Sequence, residues 1–159
     1  MPVYLCSCGT SAAKKINRQQ PPFDAAWVER QGSIKAAAAA IHATFAGARM
    51  DDETALQREL SAEIHSLARM GLSASDTVVL FSSETPEGQA CAEAVQGYLE
   101  RALPGLRCRV EPVKGLQVID AQAFQTEGVL NFTKAVLREI SANGAAQCVL
   151  NPTGGFKSL

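Results

Sequence analysis

The amino-acid sequence predicts an α/β fold, a doubly wound and mainly parallel sheet with helices on both faces. Short apolar runs of strand length alternate along the chain with longer stretches of helical periodicity, a pattern typical of parallel sheets whose strands are joined by helices. Loops rich in glycine, serine and threonine follow these apolar runs. A chain of 159 residues with 47% hydrophobic and 19% charged residues is expected to form one domain with a substantial core.

Four strands are predicted, over residues 1–6, 77–81, 107–113 and 146–150. Residues 17–32 show no clean period. Each helix is expected where a capping residue precedes apolar residues at helical spacing. Five helices are predicted. The first runs from Ser11 to Pro21 and Pro22, the second from Ser33 to near Gly47, and the third from Asp51 or Asp52 to Gly71. The fourth runs from Thr85 with Pro86 to near Leu103, and the fifth runs from Asp120 to Asn143 with a break near Gly128.

In an open parallel sheet, ligands bind beyond the carboxyl ends of the strands, so the four loops that follow the strands are expected to share one edge. These loops cover residues 8–11, 82–85, 114–117 and 151–157. They offer hydroxyls, amides, glycines and lysines, the groups that hold phosphate. The candidate ligand-binding residues are Gly9, Thr10, Ser11, Ser82, Ser83, Glu84, Thr85, Gln117, Asn151, Thr153, Gly154, Gly155 and Lys157.

Composition limits the kind of ligand. A net charge of −1 and a pI near 6.1 argue against a broad basic face for long nucleic acid, so an anionic ligand is expected to be small and locally held. The five cysteines lie mostly in apolar runs and are expected to be core thiols of a reducing compartment. No metal site and no cofactor are expected. No signal peptide or membrane-length apolar run occurs, which predicts a cytoplasmic protein without a membrane partner.

Familiar catalytic motifs do not fit the two terminal loops. The loop after the first strand has only Gly9 where a dinucleotide site needs three glycines, and Phe156 separates Gly155 from Lys157 where a P-loop needs adjacent glycine and lysine. His42 and His65 are predicted to lie within helices, away from Ser11. Two interpretations remain at this point: recognition of a phosphate-bearing ligand, or tight turns without a ligand.

An ordered set of motifs resembles the CRISPR-associated Rossmann-fold (CARF) domain, in the branch that includes the stand-alone ring nucleases of type III CRISPR systems. The set runs the length of the chain: Gly9-Thr10-Ser11, then Ser83-Glu84-Thr85 with Gly88, then Gly115-Leu116-Gln117 with Phe124 and Gly128, and finally Asn151 followed by Thr153-Gly154-Gly155-Phe156-Lys157. Glu84 stands where that family usually has Asp. Family members also continue through a helix after the lysine, so residues 1–159 are expected to form a single CARF-like domain that lacks at least one C-terminal helix.

The resemblance implies a Rossmann-like homodimer that binds a cyclic oligoadenylate, with cyclic tetra-adenylate as the expected ring, and that regulates a fused or separate effector domain. An alternative is a metal-independent ring nuclease, in which a ribose 2′-hydroxyl attacks its neighbouring phosphate. The resemblance then gives catalytic roles to Ser11, which orients the reacting group, and to Lys157, which stabilises charge. A second alternative is a phosphate-binding metabolic enzyme, which explains the loops but not their joint identity.

Overall fold

The computed structural model describes residues 1–19, 22–45, 47–116, 122 and 124–152. In these residues the strands β1 (Val3–Ser7), β2 (Thr77–Ser83), β3 (Arg107–Val113) and β4 (Cys148–Asn151) form one parallel sheet in the order β3-β2-β1-β4. The helices are α1 (Lys14–Gln19), α2 (Ala25–Arg30), α3 (Ile34–Ala43), α4 (Glu53–Arg58), α5 (Ala62–Arg69), α6 (Pro86–Ala102) and α7 (Val129–Asn143). Short 3₁₀ turns cover Ser11–Ala13 and Ala145–Gln147, and a π-helical turn at Phe124–Gly128 leads into α7.

Helices cover both faces of the sheet, as predicted. Because side chains alternate between the faces of a strand, Tyr4 and Cys6 of β1 pack among the helices α1 to α6. Leu5 of β1 and Phe81 of β2 point to the opposite face, where α7 supplies Ala135 and Val136. The chain therefore passes from β1 through β3 along one face and returns to β4 through α7 along the other. This is the doubly wound, Rossmann-like α/β fold predicted from the sequence.

Two helix starts match their predicted capping residues. The Ser33 hydroxyl accepts a hydrogen bond from Ala36 N at 3.0 Å and begins α3. The Thr85 hydroxyl accepts from Gly88 N at 3.1 Å and begins α6, with Pro86 in the first turn. Both hydroxyls satisfy backbone donors that the first helical turn leaves unpaired.

The predicted helix start at Asp52 is confirmed, since Asp52 caps α4, but the prediction of one helix to Gly71 is wrong, because the structure divides this stretch into α4 and α5. Ser61 caps α5 by accepting from Ile64 N at 3.2 Å. The Lys14 ammonium group donates to the carbonyls of Gln57, at 3.1 Å, and Leu60, at 2.6 Å, which lie at the end of α4. A serine cap on one side and a distant lysine on the other thus stabilise a break that local periodicity does not reveal.

The role of Ser11 as a helix cap is also wrong. The 3₁₀ turn that precedes α1 has Thr10 at its cap position, and no side chain caps it. The Ser11 hydroxyl instead bonds to α5. The sequence also missed α2, which Asp24 caps by accepting from Trp27 N at 3.0 Å.

The C-terminal elements agree with their predicted positions within a few residues. α7 ends at Asn143, as expected, and β4 begins two residues later than predicted. Asp120, the predicted start of the helical stretch, lies outside the described residues.

Gly115, in the turn after β3, is packed directly against the start of α7. Its φ is +80°, and a Cβ at this position would lie 2.9 Å from the backbone nitrogen of Gly128 and 3.2 Å from its Cα. Asn131 on α7 donates to Lys114 O at 3.0 Å across the same contact. The two glycines that the sequence pairs in one motif therefore touch, and this backbone contact fixes the start of α7.

Replacing Gly115 with Ala is expected to lower the free energy of unfolding by about 2 to 4 kcal/mol, because a methyl group adds both φ strain and overlap with backbone. Gly71 is the matched control, since its φ is +83° but nothing lies within 4 Å of a Cβ there. Gly71→Ala is expected to cost about 1 kcal/mol. Urea denaturation measures both, and equal losses would contradict the close contact at Gly115.

Candidate functional site

The two loops that carry the terminal motifs leave neighbouring strands. β1 pairs with β4 in parallel, and Cys6 lies level with Asn151. The strand order reverses at β1, because the chain first moves from β1 to β2 and β3 and finally returns to its other side. Residues 8–11 and the segment that begins at Asn151 therefore start side by side at the topological switch point, where α/β sheets bind their ligands.

The first turn and a half of α5 connects these two strand ends. Glu63 accepts hydrogen bonds from Gly9 N and from the Ser11 hydroxyl, each at 3.2 Å. One turn further along, the Ser66 hydroxyl accepts from Asn151 Nδ2 at 2.6 Å. Glu63 and Asn151 are both almost fully buried. The helix thus links the exit of β1 to the exit of β4 through three partly buried hydrogen bonds.

Ser11 is bonded on two sides. Its hydroxyl donates to Glu63 Oε1 and accepts from Ala62 N at 3.0 Å, so it also satisfies a backbone donor at the start of α5. The Ser11 side chain remains partly exposed, whereas Glu63 behind it is inaccessible. A ligand at this edge can therefore reach Ser11 but not Glu63.

The sequence missed Glu63, although a signal for it was present. Leu60 and Leu67 have the spacing of one apolar helix face, and position 63 lies on the same face, three residues after the first and four before the second. A carboxylate on an apolar helix face must find hydrogen-bond donors in the interior. Glu63 finds them in the loop that the sequence assigned to phosphate.

The thiols around Glu63 are held in the neutral form. Burial, with smaller contributions from the nearby Glu63 charge, raises the pKa of Cys6 to about 12 and the pKa of Cys8 well above its ordinary value. Cys91 is affected in the same way, with burial the main cause of its raised pKa. Because the thiolate is the nucleophilic form, these cysteines are structural rather than reactive.

The lysines that follow the first loop are used within the fold. The Lys14 ammonium group binds the carbonyls at the end of α4, and burial is the main cause of its lowered pKa. Lys15 pairs with Glu59 and donates to Thr44 O at 2.9 Å. Both ammonium groups therefore bind other parts of the protein, and neither is available to a ligand in this structure.

The hydroxyls at the exit of β2 mostly form hydrogen bonds within the protein. The Ser83 and Thr85 hydroxyls share a hydrogen bond of 2.6 Å, and Glu84 is exposed. Ser82 is fully buried, and its Oγ has no hydrogen-bond partner among the described residues. A Cβ at Gly88 would lie 2.0 Å from Ser83 Oγ, so this glycine leaves room for the serine.

The remaining candidate residues are only partly described. Gly9 and Ser11 lie at the exit of β1 with the exposed Thr10, and Asn151 lies at the exit of β4. The structure thus brings the described members of the two terminal motifs together. Gln117, Thr153, Gly154, Gly155 and Lys157 lie outside the described residues.

A cavity of about 430 Å³ lies away from this edge, between the C-terminal parts of α3 and α6. Its lining includes His42, Phe45, Tyr98 and Arg101. α6 runs from the exit of β2 toward the start of β3, so the cavity lies near the amino edge of the sheet. Burial, and then the Arg101 charge, lower the pKa of His42, which favours a neutral ring.

No helix in the described part of the chain is long and apolar enough to cross a membrane. Within the same residues, no three His, Cys, Asp or Glu side chains converge as a metal site.

Comparison with known proteins identifies the family. Residues 58–159, more than half of the chain, match the family described as CRISPR-associated protein (Cas_APE2256). The matched region contains Glu63, Ser66 and Asn151 and begins after residues 9–11. Among curated proteins no match is found. The chain, with its Rossmann-like sheet and its paired terminal loops, belongs to the Cas_APE2256 family of CRISPR-associated proteins.

Proposed function

We propose that this protein binds a cyclic oligoadenylate, with cyclic tetra-adenylate as the ligand, and acts in CRISPR defence as a sensor that regulates an effector. The observation that carries the proposal is the parallel pairing of β1 with β4, which starts residues 9–11 and the segment after Asn151 side by side. Membership in a CRISPR-associated family supports a role in that defence. The resemblance of the paired motifs to the CARF domain supports the choice of ligand.

The symmetry of the ring favours a homodimer as the binding unit. A ring of four adenylates has two-fold symmetry, and an isologous dimer presents two identical sets of donors about its axis. Each subunit is expected to contribute the carboxyl edge of its sheet. One ring would then contact two copies of the loop after β1 and two copies of the segment after β4.

The charge of the described residues at this edge supports a lysine as the phosphate contact. The protein carries a net charge of −1, Lys14 and Lys15 are bound within the fold, and Glu63 adds a buried negative charge beside the first loop. Four phosphates nevertheless need a nearby cation. Lys114, exposed in the loop after β3, and Lys157, six residues along the chain after Asn151, are the candidates to supply it.

Cleavage of the ring is a second candidate function, favoured by the partly exposed Ser11 hydroxyl and the two hydrogen bonds that hold it. In this reaction a ribose 2′-oxygen forms a bond to phosphorus and the bond from phosphorus to the 5′-oxygen breaks. The 2′-hydroxyl loses a proton and the 5′-oxygen gains one, so the products are a 2′,3′-cyclic phosphate and a free 5′-hydroxyl. In-line positioning and charge stabilisation are sufficient for this chemistry, and no metal is required.

Replacing Lys157 with Ala is expected to weaken binding of cyclic tetra-adenylate by about 1 to 3 kcal/mol, because a charge-assisted contact to phosphate is lost. Titration calorimetry on the parent protein should give one ring for every two chains. Lys35→Ala on the exposed start of α3 is the control and should bind as the parent does. Equal losses at both lysines would show that the ring binds elsewhere than at this edge, and no heat with either the tetramer or the hexamer would refute the proposed function.

If the protein cleaves the ring, Ser11→Ala is expected to lower the cleavage rate about ten-fold or more while affinity changes much less, because the hydroxyl acts mainly in the transition state. Chromatography of labelled ring measures the rate, and calorimetry measures the affinity. A chelator should leave the parent rate unchanged. A parent protein that forms no linear product is a sensor only, and loss of cleavage in chelator would exclude the metal-free mechanism.

A further inference from the structure

The cavity beside His42 and Tyr98 is separate from the edge where the terminal loops lie. Its volume of about 430 Å³ falls in the range of small-molecule sites in proteins. The C-terminal parts of α3 and α6 supply two of its walls, and residues 47–51, which lead from α3 toward α4, supply a third. No described residue of the loops after the four strands lines it, so the proposed function leaves this cavity unused.

Three aromatic rings line the buried side of the cavity. Phe45 and Tyr98 pack edge to face, with ring centroids 5.5 Å apart and planes at 81°, and both residues are almost fully buried. The His42 ring lies 5.8 Å from the Phe45 ring and 6.4 Å from the Tyr98 ring. Burial, and then the Arg101 charge, lower the pKa of His42, so this ring is neutral at pH 7 and adds to an uncharged wall.

Hydrogen bonds within the protein hold the loop that forms the third wall. The Tyr98 hydroxyl donates to Ala48 O at 2.5 Å and so ties α6 to this loop. Within the loop, the Arg49 guanidinium group donates to both carboxylate oxygens of Asp51, at 2.9 and 2.6 Å. The walls of the cavity are therefore held in place by the protein itself, which lowers the cost of ordering them around a ligand.

Two polar groups at the cavity have no hydrogen-bond partner within the described part of the chain. The Arg101 guanidinium group, near the exposed end of α6, forms no hydrogen bond and no ion pair there. His42 Nε2 is shielded from solvent and also lacks a partner. Because the Arg101 charge lowers the pKa of His42, the two side chains are close enough for one anionic group to lie beside both. An unpaired cation and an unsatisfied ring nitrogen favour a ligand that carries such a group.

The distribution of charge around the cavity determines the shape of a matching ligand. Arg49 and Arg101 are exposed, whereas Phe45 and Tyr98 are buried, so the ligand should be charged at one end and apolar at the other. Aromatic walls gain edge-to-face contacts with a flat ring that an aliphatic chain cannot supply. A nucleotide fits less well, because the polar atoms of its base would lie against these rings without hydrogen-bond partners.

We propose that this cavity is a second binding site, which takes a small aromatic carboxylate with its rings against Phe45 and Tyr98 and its carboxylate at Arg101. The site lies near the amino edge of the sheet and goes beyond the proposed binding of a cyclic oligoadenylate. It is built from α3, α6 and the loop between α3 and α4. Because α6 begins at the exit of β2, one helix runs from the carboxyl edge of the sheet to this second site.

The probe for this site is 2-naphthoate, which combines two fused aromatic rings with one carboxylate. Titration of isotope-labelled protein followed by NMR is expected to give a Kd of about 1 mM or lower, as ligand efficiency predicts for a molecule of this size. The largest shift changes should occur at His42, Phe45 and Tyr98. Shift changes confined to residues outside the cavity, or none at the solubility limit of the probe, would overturn the proposal.

Replacing Arg101 with Gln tests the carboxylate contact. This change is expected to weaken binding of 2-naphthoate about three-fold or more, because a charge-assisted contact is lost, and to leave binding of the neutral analogue 2-naphthalenemethanol unchanged. Arg30→Gln, at the exposed end of α2, is the matched control and should bind both probes as the parent does. Equal losses of both probes in Arg101→Gln would contradict the carboxylate contact.

Replacing Ala102 with Trp tests the cavity itself. Ala102 lines the cavity but is exposed, so a large side chain there can fill the opening without disturbing the core. Binding of 2-naphthoate is expected to fall about ten-fold or more. Ala36→Trp, at an exposed position near the start of α3, is the matched control. Unchanged binding in folded Ala102→Trp would overturn the site, and if circular dichroism shows that this variant does not fold, Arg101→Gln decides alone.

The remaining outcomes concern the class of ligand and the proposed function. Tighter binding of decanoate or of adenosine monophosphate than of 2-naphthoate would overturn the assignment to aromatic carboxylates. Ala102→Trp should bind cyclic tetra-adenylate as the parent does, because the ring is expected at the opposite edge of the sheet. Loss of 2-naphthoate binding with ring binding intact would refute this inference alone, and the reverse result would refute the proposed function alone.

Discussion

The buried carboxylate of Glu63 constrains the carboxyl edge of the sheet more than any other described group there. A carboxylate without solvent needs donors, and the loop after β1 supplies them through Gly9 N and the Ser11 hydroxyl. That requirement ties the first loop to α5, and Ser66 on the same helix ties α5 to Asn151 at the end of β4. A helix that belongs to neither terminal motif thus joins Gly9 and Ser11 of the first motif to Asn151 of the second.

The sequence predicted the elements whose signals are local. Thr85 with Pro86 predicts the start of α6, and the β-branched and aromatic run after Asp76 predicts β2. The break between α4 and α5 has one local signal, the Ser61 cap, but the Lys14 contacts that also stabilise it come from more than forty residues away. The same holds for Ser11, which looks like a local cap and instead bonds to Ala62 and Glu63. Contacts that are distant in sequence decided each of these cases.

The candidate site was predicted in part. The prediction of parallel strands was sufficient to place Ser11 and Asn151 at one edge, and the structure confirms that placement. The sequence did not reveal that the loop after β1 already binds the buried carboxylate of Glu63. This changes the expected chemistry of the edge, because an amide and a hydroxyl assigned to phosphate are occupied by Glu63. In the proposed function, the ring phosphates are therefore expected to contact lysine side chains such as Lys157 rather than Gly9 N.

The central claim, that a cyclic oligoadenylate binds at the exits of β1 and β4, is tested most directly by photo-crosslinking. Cyclic tetra-adenylate carrying 8-azidoadenine is bound, irradiated and digested with trypsin, and the labelled peptides are identified by mass spectrometry. We expect label on residues 1–14 and 139–157, the tryptic peptides that contain the two terminal motifs, and competition by unlabelled ring. Label confined to residues 36–58, which line much of the cavity beside His42 and Tyr98, would contradict the account.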